Sequence, residues 1–298
     1  MRVAASGRRG LRLPRGRAQW GAAAAAGMFA ALALGGCAAL GNAPSSPKDD
    51  ALTATSQSNL MSLSEVVEKH PDDPQAYNMR GTVYGEAGRP EQAFADFTKA
   101  ISLDPNYAQA YANRALIYRQ TNRLELAMAD YNKALAIDPA YGPAYLGRGI
   151  VYHQQGHGVQ ALADFNKAIA LRPDNALAYY NRGLLYQSQR QHQFAIDDFS
   201  AALGLATQNA DLRVARALSY LAIGDNMSAA SDLDEAVKLD PQSLRAWTSR
   251  GLAYERLGQK EKAAGSYAKA LNISDKYEVA KAGFARVGGK AGQSYRTF

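Results

Sequence analysis

Cysteine occurs once in 298 residues, at Cys37. One thiol can form no disulfide within the chain and cannot supply the several thiolates of a structural zinc site. Histidine is nearly as scarce: His70, His153, His157 and His192. His153 and His157 are spaced i, i+4, but Gly156 breaks the helix that would align them, and no paired acid motif accompanies them. No glycine-rich phosphate loop, serine-nucleophile motif or acid pair stands out, so the residues imply no catalytic centre, no bound metal and no cofactor. Long apolar runs are missing too. The uncharged stretch from Trp20 to Leu34 has 15 residues, short of the roughly 20 that cross a bilayer.

Acidic residues are absent from residues 1–36, which carry Arg2, Arg8, Arg9, Arg12, Arg15 and Arg17. Removing these six from the 34 basic residues leaves 28 against 27 acidic ones, so the formal charge of +7 belongs to the N-terminal stretch. A basic face for nucleic acid is thereby excluded, and nucleic acid is not an expected partner. An arginine-bearing start, an uncharged Ala- and Gly-rich run and then small residues follow the order of a secretory signal. Leu34-Gly35-Gly36-Cys37 resembles the bacterial lipobox, in which small residues precede a cysteine that is lipidated and becomes the mature N-terminus. Gly35 departs from the more usual Ala or Ser while remaining small. The resemblance implies export, a lipid on Cys37 and anchoring on the periplasmic side, with Ala38 pointing to the outer membrane. Arg8-Arg9 faintly resembles a twin-arginine signal, although Arg12 interrupts the apolar pair that should follow, and both export routes stay open. Cys37 has no neighbouring base to make it a nucleophile, and the Ala-, Ser- and Pro-rich residues after it have the composition of a tether.

Beyond residue 70 the prolines keep step: Pro71, Pro105, Pro139 and Pro173 lie 34 residues apart, and Pro241 lies 68 further on. A fixed period of this size signals a repeat architecture. Six units follow, at 74–107, 108–141, 142–175, 176–209, 210–243 and 244–277. Their eighth residues are small (Gly81, Ala115, Gly149, Gly183, Ala217, Gly251) and their eleventh are all tyrosine, from Tyr84 to Tyr254. The twentieth and twenty-seventh are alanine throughout, and the twenty-fourth is Phe97, Tyr131, Phe165, Phe199, Leu233 or Tyr267. Positions 4, 8 and 11 share one helical face and 20, 24 and 27 share a second. Turn residues between them make each unit a helical hairpin, and Asp-Pro pairs separate successive hairpins.

This pattern is similar to the tetratricopeptide repeat over residues 74–277. The resemblance implies an all-α fold, a right-handed α–α superhelix of six repeats with capping helices. Domain boundaries follow: signal 1–36, flexible tether 37–56, N-terminal capping helix 57–72, repeats 74–277, C-terminal capping helix 278–287 and a disordered tail at 288–298. Leu60, Leu63, Val66 and Val67 are the apolar face of the first cap. Arg213 replaces the fourth-position aromatic, and Thr207 and Asp275 replace the boundary proline, which suggests a looser joint near 207.

Two columns of opposite sign run through the array. Position 7 is arginine in every unit, from Arg80 to Arg250, and position 23 is Asp96, Asp130, Asp164, Asp198 and Asp232, then Ser266. A basic ladder for an acidic ligand is one reading; ion pairs between packed helices are favoured, because the columns match. Pairing within a unit would leave Arg250 without an acid, and pairing with the preceding unit would orphan Arg80.

The family resemblance places the concave wall on the first helices, at positions 2, 5, 9, 12 and 13. Carried over, it marks Leu116, Arg119, Leu146, Ile150, His153, Tyr180, Leu184, Gln187, Leu218 and Leu221 as contacts for a protein or peptide partner in the cell envelope. The chaperone-binding clamp of some relatives is not matched, since Asn78, Pro143 and Gly147 stand at its basic positions. Nothing fixes the oligomeric state. The function implied is a non-enzymatic, lipid-anchored envelope scaffold. The alternative is a glycan-binding accessory in polysaccharide export or peptidoglycan processing, for which Tyr180 would be the groove's stacking residue if the tyrosines of positions 4 and 11 are buried. For the anchor, labelled palmitate should enter the wild-type chain in cells and fail to enter Cys37→Ala; equal labelling of both would exclude lipidation there.

Overall fold

A computed structural model describes residues 47–290 and Tyr295, with side-chain detail from Gln57 onward. The leader, Cys37 and the first part of the tether lie outside the described residues. Those described are helical, with no strand among them. Helix α1 (Pro47–Lys69) is followed by six hairpins: α2 (Pro74–Glu86) with α3 (Pro90–Leu103), α4 (Ala108–Gln120) with α5 (Leu124–Ile137), and α6 (Gly142–Gln154) with α7 (Gly158–Leu171). Then come α8 (Ala176–Ser188) with α9 (His192–Leu205), α10 (Ala210–Ile223) with α11 (Asn226–Leu239), and α12 (Leu244–Arg256) with α13 (Lys260–Ile273), before α14 (Glu278–Arg286) closes the array.

The first helix extends into residues read as tether. Pro47 occupies its first turn, where the missing N–H costs nothing, and no glycine or proline follows until Pro71. Leu60 and Val67 are buried against the first hairpin, whereas Val66 is exposed. At the other end Tyr295, in the stretch read as disordered, stacks edge-on against Phe284 with centroids 5.5 Å apart, and its hydroxyl accepts the Lys290 N–H at 2.7 Å.

Each hairpin turns on one left-handed residue: Gly88, Asn122, Gly156, Arg190, Gly224 and Gly258 all have positive φ. Glycine reaches that region without strain, and asparagine tolerates it better than most. Within a hairpin the eighth and twenty-fourth positions interlock. A Cβ on Gly183 would lie 2.7 Å from the Phe199 ring, and one on Gly149 would lie 2.8 Å from Phe165. The small column therefore sets how deeply each ring sinks between its two helices.

The arginine column is the main polar feature of the stack. Arg148 donates from Nε and Nη2 to both oxygens of Asp164, at 2.7 and 2.8 Å, and from Nη1 to Asn132 of the preceding unit at 2.7 Å. Arg80, Arg114, Arg182 and Arg216 repeat this with Asp96, Asp130, Asp198 and Asp232 ahead and Ser64, Thr98, Asn166 and Ser200 behind. Aromatic rings of positions 4 and 11 flank the guanidinium, as Tyr145 and Tyr152 do for Arg148. The pairing is within the unit, yet Arg250 is not left without an acid. It donates to Ser266 at 2.8 Å, and its charge is met by Asp234 of the preceding unit at 2.6 Å. Acid and hydroxyl have exchanged sides at that joint.

The joint near Thr207 is not loose. Helix α10 packs on α9 more extensively than the other first helices do on the second helix before them. Asn209 caps α10 through the Leu212 N–H at 2.9 Å, and Arg213 donates to the Thr207 carbonyl at 3.2 Å. These bonds replace the missing proline. Asp164→Ala should lower stability by about 3 kcal/mol, the low end for a broken buried pair because Arg148 keeps some contact with water. Asp234→Ala should be comparably damaging although it lies outside the acid column. Chemical denaturation measures both, and an unchanged midpoint for Asp234→Ala would remove its assigned role.

Candidate functional site

Each first helix of a hairpin touches the next first helix, whereas second helices do not touch one another among the described residues. The first helices α2, α4, α6, α8, α10 and α12 are therefore the more crowded, inner layer, and their outward side forms one continuous wall.

Along it the ninth column is an apolar stripe. Leu116 is exposed, and Ile150, Leu184, Leu218 and Leu252 are half-buried, partly packed on the core below. Two residues expected on the wall are instead core: Leu146 and Leu221 are 7% and 4% exposed. Leu146 belongs to a core cluster that includes Ala178 and Leu185 of the next unit, and Leu221 to one that includes Ala246 and Tyr254 of the next. Gln187 reaches the wall with its amide already engaged, donating to the Ala215 carbonyl at 3.1 Å and the Ser219 hydroxyl at 2.9 Å. His153 is half-buried, and burial holds its imidazole below the ordinary histidine value, so it is neutral near pH 7.

Two hollows open along this wall. One of about 150 Å³ lies between α2 and α4, bordered by Thr82, Phe97, Asn113, Leu116 and Ile117. Another of about 260 Å³ lies between α8 and α10, bordered by Leu177, Tyr180, Asn209, Asp211 and Leu212. Leu177, 53% exposed, was passed over in the sequence. Its place at position 2 was the available signal. Tyr180 is half-buried and its ring lies 5.9 Å from that of Phe199. Most tyrosines of positions 4 and 11 are half-buried and stacked beside the arginine column.

A second relation was invisible column by column. Where position 24 is tyrosine, the sixth residue of the following unit is glycine. A Cβ on Gly147 would collide with the Tyr131 ring and hydroxyl, and one on Gly283 would collide with Tyr267. The glycine gap brings each phenol close to a charged twelfth residue. Burial raises the Tyr131 pKa, and the neighbouring Arg119 works against that rise. Tyr267 donates to Glu255 at 2.6 Å, while Arg286 grips the same carboxylate at 2.8 and 3.0 Å and holds it below the usual range. The wall offers apolar hollows, amides and charged groups of both signs, with Glu86 and Asp211 at the hollows and Arg119, Arg245 and Arg256 along the same positions, and no cluster of metal-binding side chains occurs among the described residues. No described helix is long and apolar enough to cross a membrane.

Models of the tetratricopeptide repeat match residues 74–107, 97–129, 115–156, 160–189, 176–209 and 214–278. No curated protein matches. Among solved structures, the chain resembles one chain of the APC/C hetero-tetramer Cut9–Hcn1, at 20% identity and TM-score 0.68 over 80% of this chain. It spans only 48% of that chain's length. It also resembles pilF of Pseudomonas aeruginosa, at 21% identity and TM-score 0.65 over 72% of this chain and 97% of that one. YrrB, described as a TPR protein with an unusual peptide-binding site, is similar at 28% identity and TM-score 0.54 over 62% and 96%.

Gly147→Ala should destabilise the chain by about 1–3 kcal/mol through overpacking against Tyr131. Tyr131→Leu in the same chain should recover part of that loss in a thermal melt. No recovery would show that the gap serves something other than the phenol.

Proposed function

The chain belongs to the tetratricopeptide repeat family, whose solenoids bind protein or peptide partners, and from that premise we propose that it is a non-catalytic scaffold of the cell envelope. Its lipid at Cys37 holds it to the membrane on the periplasmic side, and its inner wall captures partner proteins. The observation that carries the binding reading is the ninth-column stripe. From α4 to α12 it presents an aliphatic side chain at every step, with two hollows beside it and few charges across the middle. A peptide laid along such a wall draws most of its affinity from a few central apolar anchors. The peptide-binding site named for YrrB gives a parallel on the same fold. The lipobox-like Leu34-Gly35-Gly36-Cys37 carries the anchoring and export part of the proposal.

Ile150→Asp with Leu184→Asp should abolish capture of crosslinked envelope partners. Both side chains are half-buried, so thermal melts accompany the assay. Leu116→Asp, at an exposed position, tests the stripe without touching the core. Lys133→Glu with Lys167→Glu, exposed on the second helices, should change little. Capture that survives both groove variants in a folded chain would place binding elsewhere.

A further inference from the structure

Large apolar side chains stand in solvent along the edge where first helices turn into second helices. Leu126, Val159, Phe194 and Met227 lie in the first turns of α5, α7, α9 and α11, and Ile223 ends α10. All five are between 48% and 82% exposed. None belongs to a core cluster, and the Phe194 ring lies 5.4 Å from that of Tyr186. The repeat does not require apolar residues there. The same positions of the second helix are Glu91 and Gln92 in the first hairpin and Glu261 and Lys262 in the last. Single exposed apolar residues are ordinary on a protein surface, but a row kept over four successive units marks a surface that something covers.

Where the chain enters the array says what that is. Helix α1 lies in the register of a second helix, since Ser64 receives the third arm of Arg80 as Thr98 receives that of Arg114. Second helices begin at the hairpin-turn edge. The counterpart of Pro90, which opens α3, is Ser56, so Pro47 to Thr55 run past this edge. The overhang is roughly 13 Å. Nine residues separate Pro47 from Cys37, a span of at most about 30 Å. An anchor at Cys37 therefore holds a bilayer on the side of this edge, with slack for the array to lean onto it. Charge separates the two edges as well. The opposite edge carries Asp104, Asp138, Asp174 and Asp240 at the joints between units, and Arg172 there is paired with Asp174. From Arg123 to Met227 the hairpin-turn edge sets Arg123 and Arg190 against Glu125 and Asp225. Asp225 is occupied in capping α11 through the Ser228 N–H at 3.0 Å. An anionic leaflet repels the acidic edge and accepts the balanced one.

We propose that the hairpin-turn edge of the second to fifth units rests on the bilayer interface, with Leu126, Val159, Phe194, Ile223 and Met227 among the headgroups and upper acyl chains. The inference rests on the anchoring reading above and says which face the anchor brings to the membrane. Aliphatic and aromatic tips gain free energy on leaving water for that region. A few suffice, because the tether keeps the edge at high local concentration beside the lipid. The inner wall, on the first helices, then stays clear of lipid for its partner.

The test takes the full chain, as purified from cell membranes, into vesicles of phosphatidylcholine and phosphatidylglycerol with brominated acyl chains. Phe194→Trp places a probe in the row and Asp174→Trp places one on the opposite edge, each read as the difference from wild type. The first signal should shift to the blue and be quenched, and the second should do neither. Adding Val159→Asp and Met227→Asp to Phe194→Trp should abolish the quenching while the chain stays on the vesicles. Both added sites are exposed, so the thermal melt should not move. Labelled palmitate, followed in the same preparations, keeps the anchor separate from the edge. Quenching at position 194 in an unlabelled chain would uphold the edge and overturn the anchor. No quenching there in a labelled, vesicle-bound chain, or equal quenching at both probes, would overturn the edge and leave the anchor standing. The row would then belong to a protein partner or a second copy. A chain that neither carries label nor binds vesicles would overturn both.

Discussion

The stack depends on one side chain per unit, the arginine of the seventh column. It crosses two interfaces at once. Two of its nitrogens hold the aspartate of its own hairpin, the third reaches back to the preceding unit, and aromatic rings close over its faces. Apolar contacts between units are forgiving, because alanine and leucine surfaces can slide without a steep energetic cost. A planar fork with fixed directions cannot slide, so it converts a greasy seam into a defined rotation between neighbours. Partial burial raises the cost of losing either partner and makes each joint all-or-none.

Much of this was legible in advance because the chain repeats itself. Six aligned copies average out local noise, so the small eighth position, the ring at twenty-four and the opposed charges at seven and twenty-three declared their pairing by column alone. What stayed hidden depended on contacts that cross from one unit to the next. The hydroxyl or amide at position 25, from Ser64 through Ser200, varies in identity and reads as surface, yet it receives the third arm of each arginine. Asp234 stands in that variable column, which is why Arg250 looked deprived of an acid.

The candidate site divides along the same line. That the inner wall lies on the first helices follows from the repeat, and the ninth column was found there. Which of its neighbours turn into the seam depends on the rotation between units, and no single column encodes that. Leu146 and Leu221 were lost to the core for this reason, and Gln187 spends its amide on the next helix. The glycine that accommodates a tyrosine from the preceding hairpin, at Gly147 and Gly283, is a two-column rule that shows itself only when neighbouring units are read as a pair.

The exchange of acid and hydroxyl around Arg250 sets limits on how such an array can change length. By the arginine column alone an interior unit could be removed or duplicated in register, since each remaining arginine would still find an aspartate ahead and a neutral acceptor behind, but the second and third units are also tied together by Tyr131 and Gly147. The fifth unit has no such freedom. Without it, Arg250 would meet Ser200 on one side and Ser266 on the other, a buried cation between two hydroxyls. The array is thus modular in its arginine column and keyed at two joints, Tyr131 with Gly147 and the surroundings of Arg250, so that drift in repeat number is tolerated only where it leaves both couplings intact.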